Sequence, residues 1–167
     1  LDCGSQLPLD TNSYDCVVCT DVLEHLENFH FVFSELVRVS SSDIIISLPN
    51  LANVFRSYIS RSNYFPNNNT PPSHYFGKYS KYYGLPLFKP EDRHRWIFSY
   101  SEASQFFKFH QISYGYNLIS EFGPCLSGYS LFSKFAKNII SSLLPKEVYQ
   151  DFFSWSYWCH LKKSSSL

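Results

Sequence analysis

Asp21, Glu24 and His25 stand at i, i+3 and i+4, so on a helical turn their side chains would share one side. An imidazole between carboxylates can act as a general base near neutral pH. The plainer reading is structural hydrogen bonding around the turn. Thr20 and Asp21 are also residue types favoured at turns and helix caps. A second group, Glu91-Asp92-Arg93-His94-Arg95-Trp96, lies far along the chain. Arg93, His94 and Trp96 can grip an anionic or sugar-like acceptor through charge-assisted hydrogen bonds and stacking. Against that stands a salt-bridged loop anchored by a buried Trp. Cys16 and Cys19 do not read as a zinc pair, because strand residues three apart point to opposite faces. No Ser-His-Asp or Cys-His pattern has a supportable spacing.

Stepping outward, these residues need elements to hold them. Tyr14 to Cys19 (YDCVVC) and Asp43 to Leu48 (DIIISL) are short apolar runs without polar alternation, as expected for strands buried on both faces of a parallel sheet. Between them Phe29, Val32, Phe33, Leu36 and Val37 form one helical stripe. Strand, helix, strand makes a βαβ unit and an α/β fold. Residues 51–96 read as an insertion, broken by Asn67-Asn68-Asn69 and Pro71-Pro72. Ser99 to Glu102 fits a capping box, followed by a helical face of Ala103, Phe106, Phe107 and His110 that Gly115 ends. Tyr116 to Phe122 reads as a strand, Leu131 to Leu143 as a helix stopped by Pro145, and Trp155 to Lys163 as a last strand. One domain over 1–163 and a disordered tail at 164–167 are expected.

The chain of 167 residues suits one domain or part of one. With 44% hydrophobic and 17% charged residues, it has the means to bury a core. Its formal net charge is zero and its basic residues are scattered, so neither nucleic acid nor an anionic membrane surface is indicated as a partner. Five Cys without a signal-peptide pattern suit reduced thiols, and a cytoplasmic location is expected. No apolar run approaches the roughly 20 residues of a membrane-spanning helix. The chain opens at Leu1 and contains no Met, from which a missing N-terminus is expected.

Leu7-Pro8-Leu9, Ser13 to Cys19 and Asp21 to Leu26 together resemble the fourth conserved segment of class I S-adenosylmethionine-dependent methyltransferases of type 11 (LPF, sFDvV, dvLEHl). Glu35 to Val39 resembles the family's ELxRVL, Ile44 to Asn50 its iisvPN strand, and Phe98 to Phe107 with Gly115-Tyr116 its FsxxEl…GF passage. The resemblance implies a Rossmann-like sheet ordered 3-2-1-4-5-7-6, of which this chain holds strands 4 to 7 and their helices, N-terminally truncated. The glycine-rich GxGxG turn does not occur in the sequence. Close backbone approach to the cofactor requires such glycines.

By the same resemblance Asp2 and Cys3 would contact the cofactor, Asp2 at the adenine amine, with Thr20 and Asp21 near its methionine part. His25 would be the catalytic base, while Glu24, Arg93, His94 and Trp96 would face the acceptor. Some relatives bind a divalent metal through ExxEH at this turn. Here the motif reads DxxEH with a shorter aspartate, and no metal is assigned. The expected function is methyl transfer from S-adenosylmethionine to a small-molecule or glycan-type acceptor in an intact parent protein, this fragment alone being inactive. Self-association through the unpaired edge of the first strand is expected as well. The competing reading is a non-catalytic pseudo-enzyme fragment or interaction scaffold. An NAD-dependent Rossmann enzyme is disfavoured, because the LPL…YDCVV…DVLEHL series is that of methyltransferases.

Overall fold

The computed structural model describes residues 6–52, 94–124 and 138–164. Four strands form one mixed sheet: β1 (Tyr14–Thr20), β2 (Ser40–Pro49), β3 (Tyr116–Phe122) and β4 (Ser156–Lys163), in spatial order β1-β2-β4-β3. β1 and β2 are parallel, with Val18 opposite Ile45 and Thr20 opposite Ser47. β4 runs antiparallel to both β2 and β3. This order is what the resemblance implies for strands 4-5-7-6, and the parallel β1–β2 pair is as expected. A parallel β1–β2 pair demands a crossover, and α1 (Phe29–Val39) supplies it.

The predicted stripe of α1 faces the sheet: Phe29, Phe33 and Val37 are buried, while Val32 and Leu36 pack beside them. They meet Ile44, Ile46 and Leu48 of β2 and Tyr157, Cys159 and Leu161 of β4. At its C-terminus the Lys163 ammonium donates to the carbonyls of Val37 (2.9 Å) and Ser40 (2.9 Å), a cation where the helix dipole is negative.

α2 (Tyr100–Phe109) starts at the expected capping box: Ser99 Oγ accepts from Glu102 N, and Ser99 N donates to Glu102 Oε2 at 2.7 Å. The single helix expected as far as Gly115 is divided. His110, at φ −91° and ψ 9°, ends α2, and a short α3 (Gln111–Tyr114) follows. Gly115 then closes it in the left-handed region at φ 71°, which its lack of Cβ permits.

Three other expectations change or go unanswered. β1 is not buried on both faces: only Cys19 is buried, and Val18 is 61% exposed. Its apolar composition suits an inner strand, yet among the described residues it pairs with β2 alone. Of the predicted helix at 131–143, residues 138–143 are helical and the remainder lies outside the described residues. Pro145 stops it and also forms the N-cap of a helix that the sequence reading missed, α4 (Lys146–Phe153). Asn50, just past β2, holds α4 in place: its amide donates to the carbonyls of Gln150, Asp151 and Ser154. The insertion at 51–96 falls outside the described residues over 53–93. Among the described residues no helix is long and apolar enough to cross a membrane.

Candidate functional site

β1 ends at Thr20, and the chain must then turn at the carboxyl end of the parallel pair, where ligands lie in open α/β sheets. Asp21 makes that turn in the left-handed region, at φ 51°. A one-turn 3-10 helix, Leu23–His25, follows, with His25 N donating to the carbonyl of Val22 (3.0 Å) and Leu26 N to that of Leu23 (3.2 Å). Leu23, fully buried, anchors the turn in the core. The Glu24 carboxylate is drawn inward with it and is 1% exposed.

A strap of residues 94–97 crosses this turn. Arg95 N and Trp96 N both donate to the Glu24 carbonyl, at 2.8 and 3.1 Å, and the Trp96 indole N–H donates to the Leu26 carbonyl at 2.6 Å. Arg95 pairs with Glu27 at 2.7 Å, on the surface. So docked, the strap sets His94, 8% exposed, beside the turn. Glu24 Oε1 lies 3.5 Å from His25 Nε2 and 4.0 Å from His94 Nε2, and the two imidazoles meet edge to face at 4.3 Å.

One donor atom from each of Glu24, His25 and His94 lies within 4.8 Å of the others. Metal–nitrogen and metal–oxygen bonds of about 2.1 Å put two tetrahedral ligands of one ion about 3.4 Å apart. The Glu24–His25 spacing already matches this, and the widest of the three gaps would have to close by up to about 1.4 Å for all three to hold one divalent cation. A carboxylate with two imidazoles suits borderline first-row ions such as zinc, manganese or cobalt. Without a cation, the same arrangement is a buried carboxylate beside two imidazoles.

The sequence-derived site is partly assembled. Glu24, His25 and His94 come together, while Asp21 does not join them: its carboxylate accepts from Ser47 Oγ at 2.9 Å and its N–H donates to the Ser47 carbonyl at 3.1 Å. The expected common side for Asp21, Glu24 and His25 fails because the helical turn begins only after Asp21. Thr20 is exposed at the strand end. Trp96 stacks edge to face with Phe29 and His30 and, with the Arg95–Glu27 pair, fastens the strap. Asp2, Cys3 and Arg93 lie outside the described residues.

Ser47, which holds Asp21, was missed by the sequence reading; a serine within an Ile-rich strand was the available signal. Nor could the spacing of His94 from Glu24 reveal their meeting. Cys16 is exposed and Cys19 buried, in keeping with opposite faces. Burial, then the negative charges of Glu24 and Asp21, push the Cys19 thiol up to about 11, which keeps it protonated and unreactive at neutral pH.

Residues 2–46, which include the turn but not His94, match the family model for a methyltransferase domain. Among solved structures the chain is similar to a SAM-dependent methyltransferase from Methanosarcina mazei, at 10% identity and a TM-score of 0.53, covering 99% of this chain and 66% of that one. It is also similar to a protein assigned as an S-adenosylmethionine-dependent methyltransferase from Listeria monocytogenes, at 12% identity and 0.52, covering 95% and 65%. A chain of the complex between the Haloferax volcanii Trm112 methyltransferase activator and its assigned methyltransferase matches at 10% identity and 0.52, covering 96% and 58%. At these identities the likeness is one of fold, and the chain spans about 58 to 66% of the length of these structures. No curated protein matches the chain.

Proposed function

We propose that the chain is part of a class I S-adenosylmethionine-dependent methyltransferase, a reading supported by the methyltransferase-domain match over residues 2–46 and by the fold, and that it forms the acceptor side of an enzyme methylating a small-molecule or glycan-type hydroxyl. The observation that carries this reading is the convergence of Glu24, His25 and His94 at the carboxyl end of β1. S-adenosylmethionine, when bound, supplies an electrophilic methyl group on a sulfonium. The acceptor oxygen would take that methyl group, the carbon–sulfur electron pair leaving on sulfur. The acceptor's proton passes to His25, and Glu24 stabilises the resulting imidazolium. His94 orients the acceptor from the strap. Thr20 stands on the cofactor side, with Asp2, Cys3 and Arg93 assigned to the pocket by resemblance alone. A second reading, favoured by the nearness of the three donors, has Glu24, His25 and His94 hold a divalent cation that orients the acceptor's oxygens.

The sequence contains no GxGxG turn. The proposal therefore assigns transfer to a polypeptide that also supplies this turn, with residues 1–167 alone inactive and binding the cofactor more weakly than micromolar. In such a polypeptide, transfer of labelled methyl to hydroxylated acceptors should fall about a hundredfold or more in His25→Asn. An unchanged kcat would remove the base from the mechanism. Micromolar cofactor binding by residues 1–167 in calorimetry would overturn the assignment of the cofactor site. A fully assembled polypeptide without transfer would leave the scaffold reading in its place.

A further inference from the structure

We infer that Asp21 and Ser47 form a positioning clasp that sets the geometry of the Glu24–His25–His94 centre, and that Asp21 is not one of its ligands. The inference rests on the reading of that centre as the functional site.

Asp21 is a non-glycine residue at φ 51°, a conformation uncommon for L-residues, though Asp and Asn adopt it more readily than most. Two bonds to one residue hold it here. Its N–H donates to the Ser47 carbonyl, the bond that closes the β1–β2 ladder at the Thr20–Ser47 pair. Its Oδ1 accepts from Ser47 Oγ at 2.9 Å; the donor residue is buried at 1% exposure, while Asp21 itself is exposed. The clasp fixes the direction in which the chain leaves the sheet. Three residues later the Glu24 carboxylate must enter the interior within 4.0 Å of His94, which arrives on a separate strap. The strap fastens to the Glu24 carbonyl, and the clasp, together with buried Leu23, ties the front of the turn to the sheet.

Conservative and disruptive variants of the full chain separate this role from the alternatives. Asn at position 21 keeps an acceptor oxygen and tolerates a left-handed backbone, whereas Gly keeps the backbone and loses the acceptor. Two readouts apply: the NMR contact between the His25 and His94 rings without metal, and the visible absorption of added cobalt(II). Asp21→Asn should keep the ring contact and bind cobalt(II) within about threefold of the unaltered chain. Ser47→Ala and Asp21→Gly should lose the ring contact and weaken cobalt(II) binding about 10- to 100-fold, the range for groups that orient metal ligands.

If Asp21→Asn abolishes cobalt(II) binding while the ring contact persists, Asp21 is a ligand and the inference fails. It also fails if Ser47→Ala retains the ring contact, whatever its melting temperature. Should the unaltered chain bind no cobalt(II), the cation reading of the site falls, and the clasp stands or falls on the ring contact alone.

Discussion

Glu24 is engaged at both ends. Its carboxylate faces two imidazoles, and its backbone carbonyl receives the two N–H groups that bring the strap, and with it His94, into place. Side chain and main chain of one residue thus gather partners from the two ends of a long sequence interval. Glu35 has an analogous structural part near the start of the chain. It accepts from Arg38 Nε and Nη2, both at 2.8 Å, and from Leu7 N at 2.9 Å, tying the segment before β1 to α1. The Arg38 hydrogen bonds hold its carboxyl below the usual carboxylate range, against the smaller opposing effect of burial. A lowered folded pKa means stability that is present above the unfolded value of about 4.3 and lost as pH falls through the folded one. Melting temperature measured against pH should accordingly drop through the acid range, and Glu35→Gln should flatten that drop while lowering the neutral-pH value.

At the scale of elements, local chemistry and remote anchoring divide the work. The start of α2 is settled locally by Ser99 and Glu102, which satisfy two N–H groups at the helix start. Ser99→Ala should cost about 1 kcal/mol, measured by chemical denaturation, with no change at the Glu24 centre. An unaltered midpoint would mean that packing of Tyr100, Ala103 and Phe107 sets this helix start by itself. Such a motif is visible in the sequence because all its atoms lie within one turn. The break at His110 was not visible in the local pattern; beside it, Phe106 and Phe107 pack against Phe33 and Phe107 against Tyr157. Nor was α4, whose Asp151 accepts from Ser101 N and Oγ and whose end is held by Asn50.

Across the whole molecule, one face of the sheet is covered by α1 and α2, and the β1 edge remains open among the described residues. Val18 on that strand is 61% exposed and Tyr14 47%. An apolar, unpaired strand edge is a template for pairing with another chain. Self-association through β1 is therefore proposed: light scattering should show concentration-dependent growth in mass, and Val18→Lys should suppress it. Equal association of the variant would move the contact away from β1.

The sequence by itself determined what depends on short-range periodicity and turn chemistry: the two parallel strands, the α1 stripe, the Ser99 box, the Gly115 stop and the DxxEH turn. These are legible because period and hydrogen-bonding residue type act over a few positions. Tertiary structure alone decided which of the chemically capable residues meet. It turned Asp21, which sequence spacing had grouped with His25, aside onto Ser47, and delivered His94 to Glu24 on a strap from the far end of the insertion. Side-chain convergence of that kind is fixed by strand register and by backbone bonds between remote segments, and neither leaves a local mark in the order of residues.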